Sequence, residues 1–220
     1  MKRSILTLTI LLVAGAVALA GSVTIPTPSW RGLDGTTMEE WQFGTDANPA
    51  DPDIVSNPYG APSATLTVGD LGEGWFDSIP EAFGNRQGFW DLGGSGGSIS
   101  ITIPNRPSPL EYKEIWVAVT YFQDISAPSV VSIQPDGTAF DPMDPILLES
   151  LPTGGEWYAQ LTKWRVYPNP EQETIVIESN IAYGSVIDTI TIDTYCVPEP
   201  ATLTLLALGG LGLIIRRRRS

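Results

Sequence analysis

Asp46, Asn48, Asp51 and Asp53 fall close together in a proline-rich stretch. Oxygen donors so spaced on one loop suit a hard cation, and calcium is the cofactor such a loop would take. The spacing is not that of an EF-hand and the glycine is missing, so an ordinary polar loop accounts for the same residues. Asp188 and Asp193 are alternative ligands near the end of the chain; their plainer role is to cap turns and blunt a sheet edge. Acidic residues are plentiful, so a pair of carboxylates for glycoside hydrolysis is chemically open. No spacing singles out a pair, and Glu39 with Glu40, or Glu171 with Glu173, read as solvated charges.

The chain has no histidine and one cysteine, Cys196. That composition excludes Ser-His-Asp and Cys-His nucleophiles and any zinc site built on imidazole. With no carboxylate pair singled out either, we expect no catalytic residues and no enzyme activity. A single cysteine also forms no internal disulfide; Cys196 is either a small buried side chain or a thiol for a bond between molecules. The seven tryptophans are the other chemical feature. Trp75 in Gly-Trp-Phe and Trp90 in Gly-Phe-Trp lie in a long glycine-rich stretch where exposed indoles would stack on sugar rings. Filling a core that lacks disulfides is the alternative for each.

The elements that must position these residues read as β throughout. Glycine (22) and proline (19) interrupt every run before three helical turns accumulate. Strands are expected at 40–43, 64–68, 98–103, 115–122, 130–134, 157–167, 174–178 and 185–194. Ile99, Ile101 and Ile103 share one face of their run, and Ile115, Val117, Val119 and Tyr121 share another. Trp116 lies opposite the second set, which implies that this sheet is covered on both sides. Residues 45–62 and 69–97 read as long irregular connections. Short strands separated by turns indicate an all-β fold, an antiparallel β-sandwich of jelly-roll type.

Both ends differ from the body. Lys2 and Arg3 precede an apolar run over 5–17, and Ala18 and Ala20 flank Leu19 ahead of Gly21. This is a secretory signal peptide, residues 1–20, with signal peptidase cutting before Gly21. Of 12 basic residues six lie in the two ends, and of 25 acidic residues only Glu199 does, which leaves a net charge of −18 on residues 21–197. Such a surface repels nucleic acid and anionic lipid. At the other end, Val197, Pro198, Glu199 and Pro200 precede an apolar run over 201–215, followed by Arg216, Arg217, Arg218 and Arg219. As a helix that run spans about 22 Å, a short crossing of a core of about 30 Å. The arginines snorkel and stay on the cytoplasmic side, leaving the body outside.

The order Val-Pro-Glu-Pro, short apolar helix and terminal arginines resembles the PEP-CTERM sorting signal of Gram-negative, exopolysaccharide-producing bacteria. The resemblance covers residues 197–219. It implies recognition by an exosortase, transient membrane anchoring, and release or transfer to the cell surface or extracellular matrix. The run Ser-Val-Ile-Asp-Thr-Ile-Thr-Ile-Asp-Thr is similar to the closing strand of galactose-binding-like and carbohydrate-module jelly rolls. The division expected is therefore a signal peptide at 1–20, a sandwich at 21–196 and a sorting signal at 197–219. The function expected is a noncatalytic envelope or matrix protein. A carbohydrate-binding module that retains exopolysaccharide is the alternative, and a secreted glycoside hydrolase a third.

Overall fold

β-Branched residues at every second position build the inner faces of two antiparallel sheets. The computed structural model describes residues 24–78, 83–84, 86–106, 111–123, 130–134, 137–141, 143–152, 154–181 and 184–197. Residues 1–20, expected to be a signal peptide, with Ala18 and Ala20, the expected cleavage position at Gly21, and the tail from Pro198 through Arg219 lie outside the described residues. Among the described residues no helix is long and apolar enough to cross a membrane.

The strands are β1 (Thr36–Trp41), β2 (Ile54–Ser56), β3 (Ser63–Thr67), β4 (Gly74–Ser78), β5 (Gln87–Asp91), β6 (Ser98–Pro104), β7 (Tyr112–Gln123), β8 (Val130–Gln134), β9 (Thr138–Phe140), β10 (Ile146–Ser150), β11 (Glu156–Val166), β12 (Gln172–Glu178) and β13 (Val186–Val197). The larger sheet runs β10-β11-β7-β13-β1-β2, with β9 also on β11, and β5 on β13 carrying β4 beyond it. The smaller sheet runs β3-β6-β12-β8. Every expected run contains a strand. The first is displaced: β1 ends at Trp41, because Phe43 adopts φ 51°, a left-handed conformation that a strand does not continue through.

Between the sheets, Ile99, Ile101 and Ile103 of β6 and Ile175 and Ile177 of β12 meet Ile115, Val117, Val119 and Tyr121 of β7 and Ile190 and Ile192 of β13 in one cluster. Each fully buried aliphatic side chain contributes about 1.5–3 kcal/mol relative to exposure. This core stabilises the fold without a disulfide, since Cys196 is free. The outer face of the smaller sheet is polar: Ser98, Ser100 and Thr102 of β6 alternate with its buried isoleucines and are partly exposed.

The larger sheet is covered on both faces, as Trp116 implied. On its outer face Phe83 packs against Phe89 and Phe122, and both of these meet Trp157. The stretch 69–97, read as irregular, contains the β4–β5 hairpin. Its register sets Trp75 opposite Trp90 and Phe76 opposite Phe89. Adjacent aromatics face opposite sides of the sheet, so the polar alternation that marks a half-exposed strand is missing. Gly88 lets the hairpin dock, because a Cβ there would lie 2.2 Å from the Phe43 carbonyl oxygen.

Candidate functional site

At one end of the sandwich the inward positions turn polar. The inner row of β7 begins at Lys113 before Ile115, and that of β12 at Glu173 before Ile175. In β1 it reads Thr37, Glu39, Trp41, and in β13 it ends on Thr194 and Cys196. Lys113 and Glu173 come from opposite sheets and are both fully buried, with Nζ 2.5 Å from Oε1. Glu39 is also fully buried. Its Oε1 accepts from Asn57 Nδ2 at 3.0 Å and its Oε2 from Thr37 Oγ1 at 3.3 Å. Thr37 and Thr194 share a hydroxyl contact of 2.7 Å, and the Cys196 thiol donates to Asn105 Oδ1 at 2.9 Å.

Burial pushes the Glu39 carboxyl up to about 7, against the hydrogen bonds from Asn57 and Thr37. Burial likewise pushes Glu173 up, with Lys113 opposing it. The Cys196 thiol is raised by burial too and stays protonated, which makes it a poor nucleophile and closes it to partners in solution. Glu39 and Glu173 thus correct the expectation of solvated charges. Their strand phase carried the signal, since each lies two residues from a buried apolar position on the same face.

The outer face of the larger sheet holds a second candidate. The segment leading into β1 crosses it, and Arg31 clasps Asp193 of β13 through Nε–Oδ1 at 2.5 Å and a second contact of 2.6 Å. Trp30 stacks on Tyr195 at 5.5 Å and meets Trp116 edge-on at 6.0 Å. Beneath this segment lies a cleft of about 170 Å³, whose polar wall is Arg31, Glu40, Thr191 and Asp193 and whose apolar wall includes Trp116 and Leu161. The Trp116 indole N–H is buried without a hydrogen-bond partner among the described residues. Residues 21–197 as a whole carry a net charge of −18. All six cations of residues 21–197 are paired with carboxylates: Arg31 with Asp193, Arg86 with Asp188, Arg106 with Asp34, Lys113 with Glu173, Lys163 with Asp141 and Arg165 with Glu114.

The residues singled out in the sequence fare differently. Trp90 is only 6 % exposed and belongs to the core, so it offers no face to a sugar ring. Trp75 is half-buried against that core, and its indole donates to the Phe43 carbonyl at 2.8 Å. Both tryptophans pack as the core-filling alternative expects, and Trp90 keeps no face free for a sugar ring. Nor does the structure assemble the calcium set: among the described residues no three acidic side chains are grouped to hold a metal ion. Asp51 and Asp53 share a recess that Asp46 does not line, and the Asp53 carboxylate accepts the Gln42 backbone N–H at 2.6 Å. Asn48 pairs with the Leu66 backbone through both ends of its amide, at 2.7 and 3.0 Å. Asp188 and Asp193 are held by arginines, and β13 is a central strand between β7 and β1, so they blunt no edge.

β13 extends three residues past its expected end at Thr194, and Val197 remains paired with Tyr112 of β7. A family model described as the PEP-CTERM protein-sorting motif matches residues 197–219. No curated protein matches the chain. The matched motif is the mark of an exported protein sorted by an exosortase, with transient membrane anchoring before release.

Proposed function

We propose that the chain, which carries this sorting motif, is a noncatalytic β-sandwich protein delivered by exosortase processing to the cell surface or the extracellular matrix. The observation that carries the reading is the junction. The motif begins at Val197, the last residue of β13, so only Pro198, Glu199 and Pro200 separate a central strand from the apolar run at 201–215. Three extended residues reach about 10 Å. An uncut body would be held against the bilayer, whereas a cut at the Pro-Glu-Pro step frees the sandwich with β13 intact. The prolines keep that step from joining a helix and leave it extended for a processing enzyme. The buried carboxylates Glu39 and Glu173 are sealed from any substrate in solution, which supports a role without catalysis.

Intact-mass spectrometry of the protein from its native host is expected to find neither the signal peptide nor Arg216 through Arg219. Glu199→Ala should leave the tail attached while the melting temperature of the body stays within a degree or so, because the residue lies beyond the last strand. A mature wild-type species that retains the four arginines would make the tail a permanent anchor and end the sorting account.

A second reading rests on the outer-face cleft: retention of exopolysaccharide. Its wall combines hydroxyl, carboxylate, guanidinium and indole groups, the mixture that hydrogen-bonds sugar hydroxyls. The net charge of −18 on residues 21–197 favours a neutral polymer over an anionic one. In affinity electrophoresis, gels containing the host's neutral exopolysaccharide should retard the wild type several-fold more than Glu40→Ala. Equal mobility with and without polymer removes this reading and leaves the sorting account standing.

A further inference from the structure

The Lys113–Glu173 pair lies apart from the sorting motif at 197–219, and among the described residues it is an ion pair with both side chains fully buried. Both side chains are wholly buried, they reach across the core from different sheets, and Nζ lies 2.5 Å from Oε1. The other carboxylate oxygen, Glu173 Oε2, has no hydrogen-bond partner among the described residues. A buried ion pair repays its desolvation only when the remaining lone pairs are satisfied, and this one is not. A second buried carboxyl, Glu39, is coupled electrostatically to both members. The surrounding inner rows are apolar from Ile115, Ile175 and Trp41 onward.

We propose that Lys113 and Glu173 condense into an intramolecular amide between Nζ and Cδ, a covalent bridge from β7 of the larger sheet to β12 of the smaller one. The reaction balances without any oxidant or reductant. A proton passes from the ammonium to the carboxylate across the existing contact, giving a neutral amine and a carboxylic acid. The amine nitrogen attacks Cδ and forms the new C–N bond. The C–O bond to the hydroxyl then breaks, and the hydroxyl leaves with one further proton from nitrogen as a single water. Burial raises the Glu39 carboxyl to about 7. In its protonated form Glu39 is the acid that hands a proton to the departing hydroxyl and regains one from the nitrogen, so it is unchanged at the end. Fixed proximity replaces a bimolecular encounter. Exclusion of solvent favours loss of water, and conversion of two buried charges into one neutral amide removes their desolvation penalty. The bridge supplies an exported chain that has one cysteine with a cross-link that disulfides cannot provide.

The test is a tryptic digest of the denatured full-length protein, read by mass spectrometry. Lys113→Arg cannot form the amide and supplies the unlinked reference. The wild type is expected to resist cleavage after Lys113 and to yield that segment joined to the peptide containing Glu173, lighter than the two parts by one water. Free cleavage after Lys113, with the Glu173 peptide at its unlinked mass, overturns the proposal. Glu39→Gln preserves the hydrogen-bonding shape and is expected to fold, as read by near-ultraviolet circular dichroism, with the link absent or formed many-fold more slowly. A link formed in this variant as fast and as fully as in the wild type overturns the proton-carrying role of Glu39.

Discussion

In the unlinked protein Lys113→Met is expected to cost the folded body about 3–5 kcal/mol, the usual penalty for removing one partner of a buried pair, and loss of the proposed amide adds to that cost. Lys113 and Glu173 are both wholly buried, so the loss of one charge strands the other. The Glu173 carboxylate would then have no cation within the core and must fold in its neutral form. A second change, Glu173→Met, removes the stranded group and fills the space with an apolar chain. The double variant should therefore be more stable than either single variant, by several kcal/mol. Urea titrations of the four proteins at one pH, with m held in common, measure this. A single variant within about 1 kcal/mol of the wild type would mean that water reaches the pair. A double variant no better than the singles would mean that neither charge is stranded by loss of the other.

Much of the fold was legible because period-two alternation survives where one face meets solvent. β6 shows this most plainly: its isoleucines are buried and its serines and threonine are not. The β4–β5 hairpin was not legible, since Trp75 and Phe76, and Trp90 and Phe89, all find apolar contacts on one side or the other of the larger sheet. Composition left Trp75 and Trp90 open as ligand platforms or core fillers; only tertiary packing distinguishes a platform from a wedge. The polar end of the core was hidden differently. Glu39 sits beside the half-exposed Glu40, and Glu173 two residues from the exposed Glu171, so each looked like part of a hydrophilic cluster. Phase separates them: Glu39 aligns with Trp41 and Glu173 with Ile175. Charge normally overrides phase, because an unpaired buried carboxylate is rare. Here Lys113 on a distant strand pairs with Glu173, while Asn57 and Thr37 satisfy Glu39, and those relations exist only after folding.

The excess of carboxylates has a further consequence for stability. With all six cations of the body already paired, the remaining acidic groups repel one another without compensation, and acid relieves that repulsion. Burial raises Asp188 and Asp193, despite their arginine partners, as it raises Glu173. Each raised carboxyl binds its proton more tightly in the folded chain than in the unfolded one. All of them therefore favour the folded state as pH falls, the reverse of the acid sensitivity that salt-bridged carboxylates with lowered values produce.

Glu39 is the group in which this effect should be largest and can be isolated. Its carboxyl rises from 4.5 to about 7. Below about 4.5 both folded and unfolded chains hold the proton, and the full contribution to stability is present. Between 4.5 and 7 the unfolded chain releases the proton while the folded chain keeps it, so stability falls as pH rises. Above 7 both forms have lost it and the loss is complete, at about 3 kcal/mol. Glu39→Gln carries no titrating proton, yet its amide can still accept from Asn57 and donate to Thr37. The wild type is expected to lose stability steadily from pH 4.5 to 7, and the variant to lose about 3 kcal/mol less over the same interval. The slope is the quantity to compare, because it counts protons bound on folding. Both proteins are compared in the Lys113→Arg background, which cannot form the amide, because the charges of Lys113 and Glu173 act on Glu39. Urea midpoints at half-unit steps from pH 4.5 to 8 measure it. Parallel wild-type and variant curves would show that Glu39 binds its proton no more tightly in the folded chain than in the unfolded one.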